Sequence, residues 1–193
     1  MKKILFINCA VRPQSRTAEL SRYVLSYLDG DITEIRPHEM GLPIPDDAFL
    51  SKRDRLSECG FDDPLAEPAK QFAEADEIVV CAPYWDLSFP AALKQYFEQI
   101  NIIGLTFAYD ESGMPYGMCR AKKLYYVSTS GGKMVSEEYG LGYVRALCET
   151  FYGIKEVVSF RAEMLDIVGI DAQAELAKAR TAVQDYFQRN KQE

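Results

Sequence analysis

The stretch APYWDLSFPAALKQYFEQI, residues 82–100, decides the fold. It follows a short apolar run, Ile78-Val79-Val80-Cys81, that reads as a buried strand. It leads into a helix predicted over 89–101, with Leu93, Tyr96, Phe97 and Ile100 at i, i+3, i+4, i+7 spacing. The loop between them carries two adjacent aromatics, Tyr84-Trp85, then the acid Asp86. Ser88 is placed to cap the helix ahead of Pro90. A loop leaving the carboxyl end of a parallel strand is where open α/β sheets bind ligands. Side-by-side aromatics in such a loop suit a flat, conjugated ligand. They equally suit packing on a neighbouring helix, the commoner role for such residues.

The same alternation runs outward in both directions. Ile4-Leu5-Phe6-Ile7 is a first buried strand. Residues 17–28 read as a helix with Leu20, Tyr23, Val24 and Tyr27 on one face, and a short strand follows at Ile32 to Ile35. Residues 37–63 are rich in Pro and acids and read as loop with a partial helix. A helix over 65–75 precedes the strand at 78–81. After the central helix, Leu105 to Gly117 holds the turn Asp110-Glu111-Ser112-Gly113. A strand at Leu124 to Ser128, a helix over 139–151 and a strand near Val157 to Phe160 come next. Asp171 can cap a last helix whose stripe is Leu176, Ala179, Val183 and Phe187, a core or dimer contact. Five strands alternating with helices imply a parallel sheet covered on both faces, joined by right-handed crossovers.

Composition narrows the functional classes. A chain of 193 residues with 48% hydrophobic content can bury one sizeable core, so residues 1–193 are read as a single domain. The net charge of −7, with acids and bases interspersed, argues against nucleic-acid and anionic-membrane partners, which need a basic face. No apolar run approaches the ~20 residues of a membrane-spanning helix. The N-terminal apolar run stops at Asn8, and Arg12 and Arg16 follow, so a secretory leader is not expected. The cysteines at 9, 59, 81, 119 and 148 are odd in number and lack metal-ligand spacing. A reducing, cytoplasmic compartment is the expectation.

Three loops should meet at one sheet edge. The first, residues 8–17, joins the first strand to the first helix. Ser15 and Thr17 offer hydroxyls, Arg12 and Arg16 offer charge, and the helix start offers N–H groups, which together make a phosphate cradle. The same residues also suit an ordinary N-cap beside solvated arginines. The loop is neither a Walker loop nor a GxGxxG turn. The second loop carries Tyr84-Trp85. The third, Ser128-Thr129-Ser130-Gly131-Gly132, has paired glycines that let backbone amides approach a ligand, or that form a bare turn. Other chemistry is sparse. His38, the only histidine, sits beside Pro37 as a solvated loop residue. Asp46-Asp47 and Asp62-Asp63 read as solvated turns rather than cation ligands, Cys81 and Cys148 as core thiols, and Tyr125-Tyr126 as strand.

The combination resembles the flavodoxin-like NAD(P)H:quinone oxidoreductase family, and within it the FMN-dependent NADH-azoreductases. Gly104-Leu105-Thr106-Phe107-Ala108-Tyr109 is similar to that family's Gly-x-Thr-Phe-x-Tyr hairpin. Thr129-Ser130-Gly131-Gly132 is similar to its Ser-Arg-Gly-Gly loop, and Pro83 to Pro90 keeps the spacing of its second loop. Several positions depart from the pattern. Cys9 stands for a serine and Ser130 for an arginine. Tyr84-Trp85-Asp86-Leu87 stands where the family has Met-Tyr-Asn-Phe.

The resemblance implies a three-layer flavodoxin-like fold, strand order 2-1-3-4-5, with FMN at the switch point between strands 1 and 3. It implies that Ser15, Arg16 and Thr17 hold the phosphate. Cys9, Pro83, Tyr84, Trp85, Asp86, Leu87, Thr129, Ser130, Gly131 and Gly132 would complete the cofactor site. It further implies a homodimer in which each active site is completed by the partner, with Phe107 and Tyr109 as the candidates for that role in the substrate pocket. The activity implied is two-electron transfer from NADH or NADPH through FMN to a small flat acceptor such as a quinone or azo compound. The flavin carries the hydride chemistry, so no side chain is assigned a catalytic role. The alternatives are a flavodoxin-type one-electron carrier, or a flavin-free binding or sensor protein of the same fold.

Overall fold

Strands that are apolar on both faces need cover on both faces, and the computed structural model, which describes residues 1–190, supplies it. Five parallel strands form the central sheet: β1 (Lys3–Asn8), β2 (Asp31–Ile35), β3 (Glu77–Cys81), β6 (Lys123–Thr129) and β7 (Glu156–Ala162). Their spatial order is β2-β1-β3-β6-β7, the order that the family resemblance implies. On one face, Ile4, Phe6, Val79, Cys81 and Val127 pack against α1 (Arg16–Leu25) and α6 (Ala172–Arg189). On the other, Leu5, Ile7, Ile78, Val80 and Tyr126 pack against α3 (Glu67–Glu74), α4 (Ala91–Ile100) and the segment around α5 (Tyr143–Leu147). Alternate residues of one strand feed opposite cores because successive side chains point to opposite sides of a pleated strand.

The helices follow local chemistry. Ser15 caps α1 by accepting a hydrogen bond from the Ala18 amide, and Asp171 caps α6 by accepting from Gln173 and Ala174. Leu93, Tyr96, Phe97 and Ile100 are fully buried along α4, as their spacing predicts. Ser88 does not cap that helix. Pro90 is the flanking residue, without a side-chain cap, and the Ser88 hydroxyl instead donates to the Tyr139 carbonyl at 2.6 Å. The helix expected over 139–151 is α5 flanked by two wider π turns, Glu138–Gly142 and Cys148–Tyr152, and it ends at Gly153 in the left-handed region. Residues 37–63 hold more helix than expected: α2 spans Asp47–Cys59 and buries only Phe49 and Leu56. Its weak apolar stripe is why the pattern did not announce it. Asp46 caps α2 and Asp63 caps the short turn at Pro64–Ala66. Among the described residues no acidic, histidine and cysteine cluster could hold a metal, and no helix is long and apolar enough to cross a membrane.

A small hairpin stands apart from the sheet. Its strands are β4 (Phe107–Tyr109) and β5 (Pro115–Gly117), paired antiparallel. Asp110 closes the turn, its Oδ1 accepting from the Ser112 and Met114 amides at 2.9 Å each. Phe107 packs edge-on against Phe151 at 4.7 Å, and Gly117 lies directly on Gly153. A Cβ on Gly117 would sit 1.9 Å from the Gly153 nitrogen, so only glycine lets the two backbones meet. Gly117→Ala is expected to push the hairpin off its seat and to cost about 1–3 kcal/mol of stability. Urea unfolding followed by far-UV circular dichroism checks the loss.

Candidate functional site

Because β1, β3 and β6 are parallel neighbours, their carboxyl ends lie level, with Asn8 opposite Cys81 and Cys81 opposite Val127. The loops that leave these ends enclose a cavity of about 300 Å³. The first loop contributes Arg12, Ser15, Arg16 and Thr17, the second Pro83, Tyr84 and Trp85, and the third Thr129, Ser130 and Gly131. The cavity lies where the sheet order reverses between β2 and β3 around β1, the position at which such sheets bind ligands.

The first loop is fixed from below. The Asn8 carboxamide accepts from the Ala10 amide at 3.1 Å and donates to Glu34 on β2 at 2.8 Å. Desolvation pushes the Glu34 carboxyl up, but hydrogen bonds from Asn8 and Arg36 outweigh it and hold the carboxyl below its ordinary value. Ser15 accepts from the Ala18 amide at 3.2 Å, which leaves its O–H proton available to donate. The Thr17 hydroxyl is buried and lies 2.6 Å from that of Thr129, joining the first loop to the third. Arg16 donates to the Leu165 carbonyl at 2.7 Å and to the Asp166 carboxylate at 2.5 Å. Arg12 is exposed and makes no ion pair among the described residues.

The second loop continues the ladder past β3, with the Ala82 amide donating to Val127 and the Tyr84 amide to Thr129. Tyr84 is then tied outward, its hydroxyl donating to the Ser136 carbonyl at 3.2 Å. Trp85 and Ser88 exchange two backbone hydrogen bonds around Asp86 and Leu87, whose φ values are +49° and +70°. Two central residues at positive φ are the signature of a type I′ turn, which favours Asn-Gly or Asp-Gly. An aspartate suits the first place, whereas a leucine in the second carries roughly 1–2 kcal/mol of strain.

The third loop is held by a segment that the sequence did not mark. After β7, residues 162–166 run beside it. The Ser130 amide donates to Ala162, while the Met164, Leu165 and Asp166 amides donate to Gly132, Ser130 and Gly131. Asp166 also lines the cavity, and its carboxylate occupies the space a Cβ on Gly131 would need, at 2.3 Å. A signal was available, since the loop leaves the fifth strand at the same sheet edge. Its sequence, Glu163-Met164-Leu165-Asp166, holds no motif that would have raised it above its neighbours.

The remaining expected residues lie elsewhere. Cys9 is fully buried beneath the first loop and does not line the cavity; burial, and secondarily the neighbouring Cys81, push its thiol well above the ordinary range. Burial likewise raises Cys81 to about 11 and Cys148 to about 12, so these are protonated thiols at neutral pH. Asp86, Leu87 and Gly132 stand outside the cavity wall. Phe107 is buried in the hairpin and Tyr109 is exposed beside it; neither lines the cavity of its own chain, and their expected place is in a partner's site.

A doubly covered parallel sheet with a mixed polar and aromatic cavity at its switch point defines a ligand-binding α/β protein of the flavodoxin type. The family model described as flavodoxin-like fold matches residues 2–187, and the chain belongs to that family. A relative from Clostridium beijerinckii, named FMN-dependent NADH:quinone oxidoreductase, is 32% identical, covering 93% of this chain and 94% of the relative. A second of that name, numbered 2, from Clostridium acetobutylicum is 33% identical, over 90% and 92% respectively. Among solved structures, an azoreductase from Bacillus anthracis superposes with a TM-score of 0.82 at 22% identity, covering 98% of this chain and all of that one. An FMN-dependent NADH-azoreductase from the same species, solved in complex with FMN, gives 0.77 at 23% identity, covering 98% and 99%.

Leu87→Gly is expected to relieve the turn and to stabilise the protein by about 1 kcal/mol, since the side chain is 45% exposed and little packing is lost. The midpoint of urea unfolding should rise. A fall would mean that the leucine's contacts outweigh its backbone strain.

Proposed function

We propose that this chain is an FMN-dependent NADH:quinone oxidoreductase that passes two electrons to a small flat acceptor such as a quinone or azo compound. The observation that carries the proposal is the division of the cavity into two chemistries. One end presents the start of α1, Ser15 and the exposed Arg12 cation, with Arg16 beside them paired to Asp166; the other presents Tyr84, Trp85 and the backbone of Thr129 to Gly131. A phosphate suits the first and a conjugated ring the second. The names borne by relatives that align along nine-tenths of the chain or more support the same assignment.

In this reading the bound flavin supplies the hydride acceptance and donation. The Ser15 hydroxyl donates to the phosphate while its oxygen keeps the α1 cap. The Thr17–Thr129 bond holds the floor between phosphate and ring ends at fixed width. Tyr84 is stiffened by its bond to Ser136, and Trp85 leaves two-fifths of its surface open, room for a donor or acceptor to approach. The hydroxyls and amides that hold the ligand are preformed, so little ordering is needed on binding.

The chain is further assigned to the cytoplasm as a single-domain homodimer. Five free cysteines support a reducing compartment. The hairpin's exposed Tyr109, Met114 and Tyr116 support a covered surface in an assembly.

Heat release of the cofactor from purified protein should yield FMN and no FAD by chromatography. Ser15→Ala should weaken FMN binding by about tenfold or more, the loss of one hydrogen bond to a charged group. Recovery of FAD alone, or an unchanged affinity in the variant, contradicts the assignment of the phosphate end. Light scattering at micromolar concentration should give twice the 21.9 kDa chain mass. A monomer would remove the hairpin from any shared pocket.

A further inference from the structure

The geometry points to Asp166 as a determinant of cofactor affinity, a fixed counter-anion that cancels the charge of Arg16 at the phosphate end and keeps FMN exchangeable. The inference rests on the FMN reading of the cavity. Arg16 is the obvious phosphate ligand in the first loop, yet two of its nitrogens are already committed, one to the Leu165 carbonyl and one to Asp166. The Asp166 side chain is 64% exposed, but its backbone is anchored: its own amide donates to Gly131 at 2.9 Å, and the missing side chain at Gly131 leaves the carboxylate room beside Arg16. Backbone bonds from Met164 and Leu165 to the third loop fix the segment on either side. The carboxylate therefore stands in the cavity wall next to the group that would attract a phosphate.

The consequences follow from charge. With Arg16 and Asp166 cancelling, the phosphate end offers the exposed Arg12 cation, the Ser15 hydroxyl and the start of α1. A phosphate carrying close to two negative charges at neutral pH then gains little from Arg16 and is opposed by Asp166. The pair also orients the guanidinium along residues 165–166, so Arg16 acts as a strut between the first loop and the β7–α6 loop. A flavin without a phosphate should not sense this charge at all.

The test compares FMN with riboflavin on the full-length protein stripped of flavin, with binding followed by quenching of flavin fluorescence. Asp166→Asn keeps the shape and the backbone bonds while removing the charge. It should bind FMN about three- to tenfold more tightly than wild type, with riboflavin unchanged, and the gain should shrink at high salt. Arg16→Gln should weaken FMN binding. Adding Asp166→Asn to it should restore affinity by a similar factor, which a purely structural role for Asp166 would not do. FMN binding that is unchanged or weaker in Asp166→Asn overturns the assignment, as does an equal change for riboflavin. Failure of the wild type to bind FMN would instead strike the cofactor reading itself.

Discussion

Everything at the site depends on the parallel hydrogen-bond ladder that joins β1, β3 and β6. Parallel pairing with right-handed crossovers forces successive loops to leave from one edge. Here the ladder does not stop at the strand ends. The Cys9 amide donates to Cys81, Ala82 to Val127, Tyr84 to Thr129 and Ser130 to Ala162. Each loop therefore begins as an extension of the sheet, and its first ligand-facing residues inherit the sheet's register. The cavity is a property of the ladder rather than of the loops taken separately.

The chain departs from the most stable local choice at this edge. Leu87 occupies a backbone conformation suited to glycine, and two threonine hydroxyls, at 17 and 129, are buried with each other as partners. Ser128 buries its hydroxyl with no partner in the structure, a cost of about 1–3 kcal/mol if left dry. A small cavity of about 20 Å³ lined by Ser128, Tyr126 and Tyr84 adjoins it, large enough for one water. Strain and buried polarity gathered at one place are what a preorganised binding site looks like. The core below holds one further unpaired hydroxyl, that of the fully buried Tyr96, whose ring packs with Phe72, Phe97 and Tyr152 under the sheet.

Much of this was legible from sequence, for a physical reason. Buried parallel strands need unbroken apolar runs, so 4–7 and 78–81 could hardly be anything else, and α4 repeats its apolar residues with the period of a helix face. The strand order came through resemblance to a family, since periodicity alone does not order strands. Three kinds of feature stayed hidden. The helix α2 has an exposed, charged surface, so its 13 residues read as no more than a partial helix within a loop. Ser88 had the right chemistry for a cap and the wrong geometry, because the turn at Asp86-Leu87 aims it at Tyr139. Asp166 was invisible because its importance lies in touching Arg16, 150 residues earlier in the chain. Long-range partners of charged groups leave no local signature.

The central claim is that the cavity at the end of this ladder holds FMN as a two-electron relay. The most direct measurement is the visible spectrum of the FMN-loaded protein during anaerobic titration with NADH, followed by addition of a quinone. The account predicts that the flavin absorbance bleaches at about one equivalent of NADH per flavin and returns when the quinone is added. A yellow protein that stays unreduced under excess NADH would contradict it and would point to a carrier that takes its electrons from a protein partner.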